Sequence, residues 1–346
     1  MKTRALNFLV CPWCQNNLQL QISQQENDEV LEGDLLCPHC KRGYPILRGI
    51  PRFLLEATPK ENLKTTNAFG WEWQRFSQIH SMENYTEQFL DWVFPLTKEA
   101  FKNKVVLDAG CGMGRFSQVA SSFGAQDVIA IDLSDSVEAA RQNLINCSNV
   151  HVIQADINHL PLRRNNTQSQ IDLIYSVGVL HHMPDPETGF HSLVRHLRPK
   201  GIISVWVYGR ENNDWVINFV NPLREKFTAY TSPRLLYLLT FVLTLVLHPL
   251  LKLIYYPANH WRPMSWLKKA LPYNEYMSWL SKFSFRHTHL VVFDHLTPAT
   301  AFYIRREEFS AWFERAGLVN VQITPRNNNS WRGLGYMPEK LPAVSK

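Results

Sequence analysis

The sequence predicts an α/β protein: a mostly parallel, doubly wound sheet with a cysteine-rich module before it and a helical insertion inside it. Three patterns predict this. Two C-x-x-C pairs, Cys11-Pro12-Trp13-Cys14 and Cys37-Pro38-His39-Cys40, lie near the start. From Lys104 to Tyr208, short apolar runs alternate with segments of helical spacing, as in a parallel sheet covered by helices. A basic, aromatic-rich stretch then intervenes before the alternation resumes near Arg306. The expected organisation is a ribbon over 1–55, a helical cap or linker over 56–103, a core over 104–208 and 298–346, and an insertion over 209–297.

The cysteine pairs come first. Two C-x-x-C knuckles 22 residues apart match a four-thiolate zinc ribbon, with Cys11, Cys14, Cys37 and Cys40 as ligands. Four thiolates close the tetrahedron and leave no position for water, so such a zinc is structural. The alternative is two disulfides, which a reducing compartment disfavours. His39 sits inside a knuckle and is surplus to four cysteines. Leu18, Leu20 and Ile22 alternate as in a strand, Gly33 reads as a turn, and Tyr44-Pro45-Ile46 and Ile50-Pro51 close the module.

The core elements follow in order. Val105-Val106-Leu107 is a buried strand that runs into Asp108-Ala109-Gly110-Cys111-Gly112-Met113-Gly114. Phe116, Val119, Ala120 and Phe123 recur at helical spacing, and Gly124 ends that helix. Val128–Ile131 forms the second strand and ends at Asp132, with Ser134 or Asp135 capping a helix to about Cys147. Val150–Ile153 forms the third strand, followed by Asp156, and Ile171–Val177 the fourth. A helix over Pro186–Leu197, a fifth strand over Gly201–Tyr208, a helix over Arg306–Ala316 and strands at Val319–Thr324 and Trp331–Tyr336 complete the set.

The glycine loop narrows the ligand. A dinucleotide fold uses G-x-G-x-x-G so that a helix start can hold pyrophosphate. Here the spacing is G-x-G-x-G, with Arg115 next and the carboxylate of Asp108 at the strand end. That carboxylate opposes a phosphate and suits a cation such as S-adenosylmethionine, which carries a sulfonium and an α-ammonium. Asp132 is placed to accept both ribose hydroxyls, and Asp156 to reach the adenine amino group.

These motifs carry a resemblance. VVLDAGCGMGRF (105–116), AIDLS (130–134), QADINHLPL (154–162) and IDLIYSVGVLHHMPD (171–185) together resemble the successive motifs of class I S-adenosylmethionine-dependent methyltransferases of the type 11 kind. The resemblance spans roughly 104–208 and resumes over 305–337. It implies a Rossmann-like seven-stranded sheet whose last strand is antiparallel. It further implies that Asp108, Gly110, Gly112 and Gly114 contact the methionine part, Asp132 the ribose and Asp156 the adenine region, with Cys111, Leu133, Ile157 and Ser176 also in the cofactor site. The ribbon is similar to the small zinc-ribbon proteins that activate tRNA, rRNA and release-factor methyltransferases, here fused in cis. Phe69-Gly70-Trp71-Glu72-Trp73-Gln74-Arg75-Phe76 has two readings: a cover over the cofactor with Arg75 facing its carboxylate, or a packed amphipathic helix.

After strand four, methyltransferases of amide and adenine-N6 groups often carry N/D-P-P-Y/F/W. This chain has Ser176-Val177-Gly178-Val179-Leu180-His181-His182 instead, which points toward small-molecule and lipid acceptors. His181 and His182 are candidate bases, or else cap the next helix or bound the pocket. Tyr208 and Arg210 end strand five, where Arg210 can face an anionic acceptor. His295 and Tyr303 are further candidates.

Composition bears on partners. The 346 residues are 45% hydrophobic and 19% charged, which excludes a disordered chain. The net charge is +6, too small to identify a nucleic-acid binder. Residues 209–297 hold 10 Lys and Arg against 5 Asp and Glu, and 16 of the 42 aromatics. The excess charge therefore belongs to the insertion. Within it Leu235–Leu247 is apolar on nearly every side, with Thr240 and Thr244 lining one face, and Trp261, Trp266, Lys268, Lys269, Trp279, Lys282 and Arg286 follow. It reads either as a buried or membrane-interface helix or as a helical lid with a solvated basic face. The uncharged run over 235–251 falls just short of a bilayer span, and the apolar run after Met1 is short for a signal peptide, so a cytoplasmic location is expected, with membrane contact left open.

Three functions are consistent with this reading. The first is methyl transfer to a small-molecule or lipid-linked acceptor, the second is methylation of RNA gripped by ribbon and insertion, and the third is a non-catalytic cofactor- or partner-binding module.

Overall fold

The computed structural model describes residues 1–54, 68–73, 75, 82–164, 169–298 and 301–339. Two compact units emerge, Met1–Asn213 with Thr300–Lys346, and Asp214–Ala299.

The first unit is built on one sheet, eleven-stranded among the described residues, in the order β1-β2-β3-β4-β7-β6-β5-β8-β9-β11-β10. Its central part comprises β5 (Val105–Ala109), β6 (Asp127–Asp132), β7 (Val150–Ala155), β8 (Ile171–Val177), β9 (Leu197–Tyr208), β10 (Val319–Arg326) and β11 (Ser330–Tyr336). β5 pairs in parallel with β6 and β8, β6 with β7, and β8 with β9. β11 is antiparallel to both β9 and β10. These seven strands are the expected Rossmann-like core. β5 to β8 are buried along nearly their whole length because helices cover both faces.

Four further strands extend the same sheet, so the count exceeds seven. β1 (Gln19–Glu26), β2 (Glu29–Leu36), β3 (Gly43–Leu47) and β4 (Ile50–Phe53) form the antiparallel ribbon. β4 then pairs in parallel with β7, Arg52 opposite Gln154 and Phe53 opposite Ala155. The ribbon thereby caps an edge that would otherwise expose unpaired backbone groups. Arg52 reinforces the seam by donating to Gln154 Oε1 and to Glu138. Arg4 adds an ion pair to the buried Asp127 at 2.6 Å.

Gly33 does not make a turn. It lies within β2 opposite Ile22, where β1 is bulged. A Cβ there would stand 2.3 Å from the Gln21 carbonyl oxygen, so the close backbone approach, not chain reversal, requires glycine. The reversal falls at Asn27, whose φ is +51°.

The second unit is helical. Its main helix, Pro233–Leu250, starts from Ser232, whose Oγ accepts from Leu235 N–H. Asn274–Leu280 and Phe285–Leu296 follow. Leu251, Tyr255 and Leu280 form a small core packed by Leu247, Leu271 and Trp279. Together with its continuation the main helix forms the stretch Pro233–His260, long and apolar enough by length and composition to cross a membrane.

Gly33→Ala should destabilise the protein by about 1–3 kcal/mol in urea unfolding, since the added methyl meets fixed backbone. Gly43→Ala, which meets only a Leu36 methyl at 3.1 Å, should cost less.

Candidate functional site

Two constellations stand out in the first unit. In the ribbon, the ligand atoms of Cys11, Cys14, Cys37 and Cys40 all lie within 4.8 Å of one another. Cys11 and Cys40 are 3.5 Å apart, Cys14 and Cys37 3.4 Å. Those separations far exceed a disulfide of about 2.05 Å and approach the roughly 3.8 Å edge of a Zn–S tetrahedron with ~2.3 Å bonds. The knuckles are built alike. Gln15 N–H donates to the Cys11 carbonyl and Lys41 N–H to the Cys37 carbonyl, with φ of +59° and +63°. N–H groups of Asn16 hold the Cys14 thiol below the usual range, whereas burial pushes Cys37 up. Packed sulfurs that cannot all ionise alone suit a divalent cation among them. His39 is exposed, outside the cluster. The donor set is that of a structural zinc site.

The second constellation forms where β5, β6 and β7 end. The turn after β5 is left-handed at Gly110, Gly112 and Gly114, with φ of +90°, +53° and +83°. Substituents are excluded as well: a Cβ on Gly110 would meet Val179 at 2.2 Å and one on Gly114 would meet Leu144 at 2.6 Å. The N–H groups of Gly110 and Cys111 donate to the Ile131 carbonyl, which ties the turn to β6. Gly112 N–H donates to Asp132 Oδ2 at 2.9 Å, and Asp132 Oδ1 accepts from both the N–H and the hydroxyl of Ser134. The Asp132 carboxylate is thus fixed at the strand end while the residue stays partly exposed.

Asp108 sits deeper, 3% exposed, and accepts from Ser117 Oγ at 2.6 Å. Burial pushes its carboxyl up to about 7, against the pull of the Ser117 hydroxyl. Asp156 uses one oxygen to accept from Asn158 N–H, capping the short turn Ile157–His159. Leu133 gives its carbonyl to Gln154 Nε2, Ile157 gives its carbonyl to Ser192 Oγ, and Ser176 Oγ donates to the Ala109 carbonyl. The Cys111 side chain is buried, and burial pushes its thiol well above the ordinary range.

Trp73 of the aromatic octet lies over this turn. Residues 68–73 are helical, and a Cβ on Gly112 would stand 3.2 Å from Trp73 Nε1. The Arg115 guanidinium lies 5.2 Å from the Trp73 ring centroid and 4.6 Å from that of Phe116. Arg75 is exposed, while Gln74 and Phe76 lie outside the described residues.

His181 and His182 form a short turn, Leu180–His182, after β8. Neither caps the following helix, Pro186–Val194: Asp185 does so by accepting from Thr188 N–H. The His181 ring is fully buried and stacks on Tyr208 with centroids 3.8 Å apart. His182 packs against His181 and Phe69, and Tyr208 against Tyr303. Arg210 N–H donates to the Ile304 carbonyl. The structure therefore gathers Phe69, His181, His182, Tyr208 and Tyr303 into one cluster. His295 belongs to the second unit, where its Nδ1 lies 2.8 Å from the Val291 carbonyl.

Ser134, expected only as a helix cap, anchors Asp132 instead, the helix Ser136–Asn143 starting after Asp135; Ser117, which anchors Asp108, was not expected, and the position of Trp73 was left open. Ser134, two residues after Asp132, carries the local signal of an Asx-type turn. Ser117 carries none, because its contact depends on the turn geometry.

With this geometry described, comparison with known proteins places both modules. Residues 107–205 match the family described as "Methyltransferase domain", and residues 2–49 the family described as "Trm112p-like protein". The chain thus joins a ribbon that matches the Trm112p-like family to a domain that matches the methyltransferase family. A tRNA U34 carboxymethyltransferase of Pseudoalteromonas translucida is 30% identical over 160 residues, 44% of this chain and 48% of its own. A ubiquinone biosynthesis O-methyltransferase of Erwinia tasmaniensis is 23% identical over 43% of this chain and 60% of its own. A solved complex of the Haloferax volcanii Trm112 methyltransferase activator with a methyltransferase aligns over 82% of this chain and all of that one, with 12% identity and a TM-score of 0.44. The chain spans between a quarter and about half the length of the first curated relatives it matches.

Metal analysis of the purified protein should return one zinc per chain, and chelation should abolish amide-exchange protection over residues 1–54. A second outcome concerns Asp108. An unfolded carboxyl titrates near ~3.9, the folded one near 7. Between those values the unfolded chain has lost the proton that the folded one keeps. Stability of the cofactor-free protein should therefore fall as pH rises from about 4 to about 7. Asp108→Asn should flatten that slope in urea unfolding.

Proposed function

We propose that the protein is an S-adenosylmethionine-dependent methyltransferase acting on RNA. One observation carries the cofactor half. Asp108, Asp132 and Asp156 lie at the carboxyl ends of three neighbouring parallel strands, beside a turn left-handed at three glycines. Ligands of open α/β sheets bind at that edge. A buried carboxyl already displaced to about 7 suits a cationic ligand, which would restore its charge. Asp108 with Gly110, Cys111, Gly112 and Gly114 would face the methionine end, Asp132 and Leu133 the ribose, and Asp156, Ile157 and Ser176 the remainder. Trp73 would close over the turn. When bound, the cofactor supplies an electrophilic methyl group for in-line displacement. The chain's own part is to hold the acceptor in line and exclude water. The cluster of His181, His182 and Tyr208 would border the acceptor, with His182 the more accessible histidine and Arg210 toward anionic groups.

RNA is favoured over a small molecule, against the expectation from the sequence. Relatives named tRNA U34 carboxymethyltransferase recur among the matches, and the ribbon is of the Trm112 kind. In this reading the ribbon over 1–55 holds the acceptor's phosphates, and the protein works in the cytoplasm. A second reading, a lipid-linked acceptor, has one observation in its favour: the outward-facing apolar residues of the helix Pro233–Leu250. The relative that carries the name ubiquinone biosynthesis O-methyltransferase is in keeping with it.

Asp132→Ala should weaken binding of S-adenosylhomocysteine at least about tenfold in calorimetry, since a charge-assisted bond pair is lost; unchanged affinity would refute the ribose assignment. Transfer of labelled methyl to cell extract should place the label in the RNA fraction. Label only in the solvent-extracted lipids would replace RNA by the second reading.

A further inference from the structure

The helix Pro233–Leu250 is inverted relative to a helix of a water-soluble domain. Its buried side chains are Leu236, Thr240 and Thr244, so two of the three are polar. Its outward side chains are apolar: Leu235, Leu238, Leu239, Val242, Leu245 and Val246 are each at least half exposed. At about 100° per residue these positions, with Phe241 and Leu243, sweep an arc of roughly 200°. An ordinary amphipathic helix turns a stripe of comparable apolarity inward.

The inward face is held by polar contacts. Thr240 Oγ1 lies 3.0 Å from His289 Nε2, and His248 Nδ1 lies 3.0 Å from Thr288 Oγ1, both partners on Phe285–Leu296. Thr244 Oγ1 donates to the Thr240 carbonyl. Small polar residues joining this helix to its neighbour, while its own outer face is apolar, is an arrangement suited to a lipid surrounding. In water, a surface of this extent would drive association.

Charge and aromatics name the occupant. The unit carries nine Lys and Arg against four Asp and Glu. Arg234 precedes the apolar run, and Lys252, Arg262, Lys268 and Lys269 follow it. Trp261 and Trp266 are 64% and 72% exposed among the latter. Basic residues at both ends with tryptophans beside them match a headgroup boundary with anionic lipid. The 18 residues span about 27 Å.

We propose that the unit Asp214–Ala299 docks on anionic bilayers, with the outward arc of Pro233–Leu250 sunk below the headgroups and Trp261, Trp266 and the lysines at headgroup level. This rests on the second unit alone and stands whichever acceptor is methylated.

The test uses the full chain and vesicles of phosphatidylcholine with a quarter phosphatidylglycerol. The protein should float with them, and lipids brominated on their acyl chains should quench its tryptophan fluorescence. The combined variant Leu239→Asp, Leu243→Asp and Val246→Asp should partition at least about tenfold less while S-adenosylhomocysteine binding is retained. Lys268→Glu with Lys269→Glu should weaken docking chiefly at low salt. Failure of the wild-type chain to float and to be quenched would overturn the proposal. So would RNA retention without vesicle binding, or a dimer formed through this helix that ignores lipid.

Discussion

The hydrogen bond from Gly112 N–H to Asp132 is the constraint on which the first unit's proposed site depends. It exists because three glycines let the chain after β5 turn back in left-handed conformations over the end of β6. That turn sets the start of the helix Arg115–Ser122, whose Ser117 reaches back to Asp108. It also leaves a flat patch that Trp73 covers. A side chain at Gly110 or Gly114 would collide with Val179 or Leu144 and force the segments apart. The two carboxylates are thereby held differently, one buried and reluctant to ionise, the other fixed by backbone donors at the rim.

The ribbon is an extension of the same sheet. Parallel pairing of β4 with β7 puts its hydrogen bonds, the Arg52 contacts to Gln154 and Glu138, and the apolar contacts of Phe53 into the framework that carries Asp132 and Asp156. Loss of metal from the four thiols would then be felt along β7.

Much of this was legible in the sequence, for local reasons. The knuckles, the glycine loop and the strand-end aspartates depend on short-range geometry, and all fall where the spacing puts them. What escaped depends on long-range contact. The Gly33 reading failed because a bulge in the opposite strand decides what that position needs. The pairing of β4 with β7 joins segments about 100 residues apart with no signal at either. The inversion of Pro233–Leu250 is a middle case. Thr240 and Thr244 on one face were visible, but their inward orientation required the partners Thr288 and His289.

The most direct measurement is a crystal structure of the full chain with S-adenosylhomocysteine. The ribose hydroxyls should lie on Asp132, the adenine beside Asp156, and the amino-acid end on the turn at Gly110–Gly114 next to Asp108, beneath Trp73. A ligand bound elsewhere, or no binding by a chain that is folded and zinc-loaded, would contradict it.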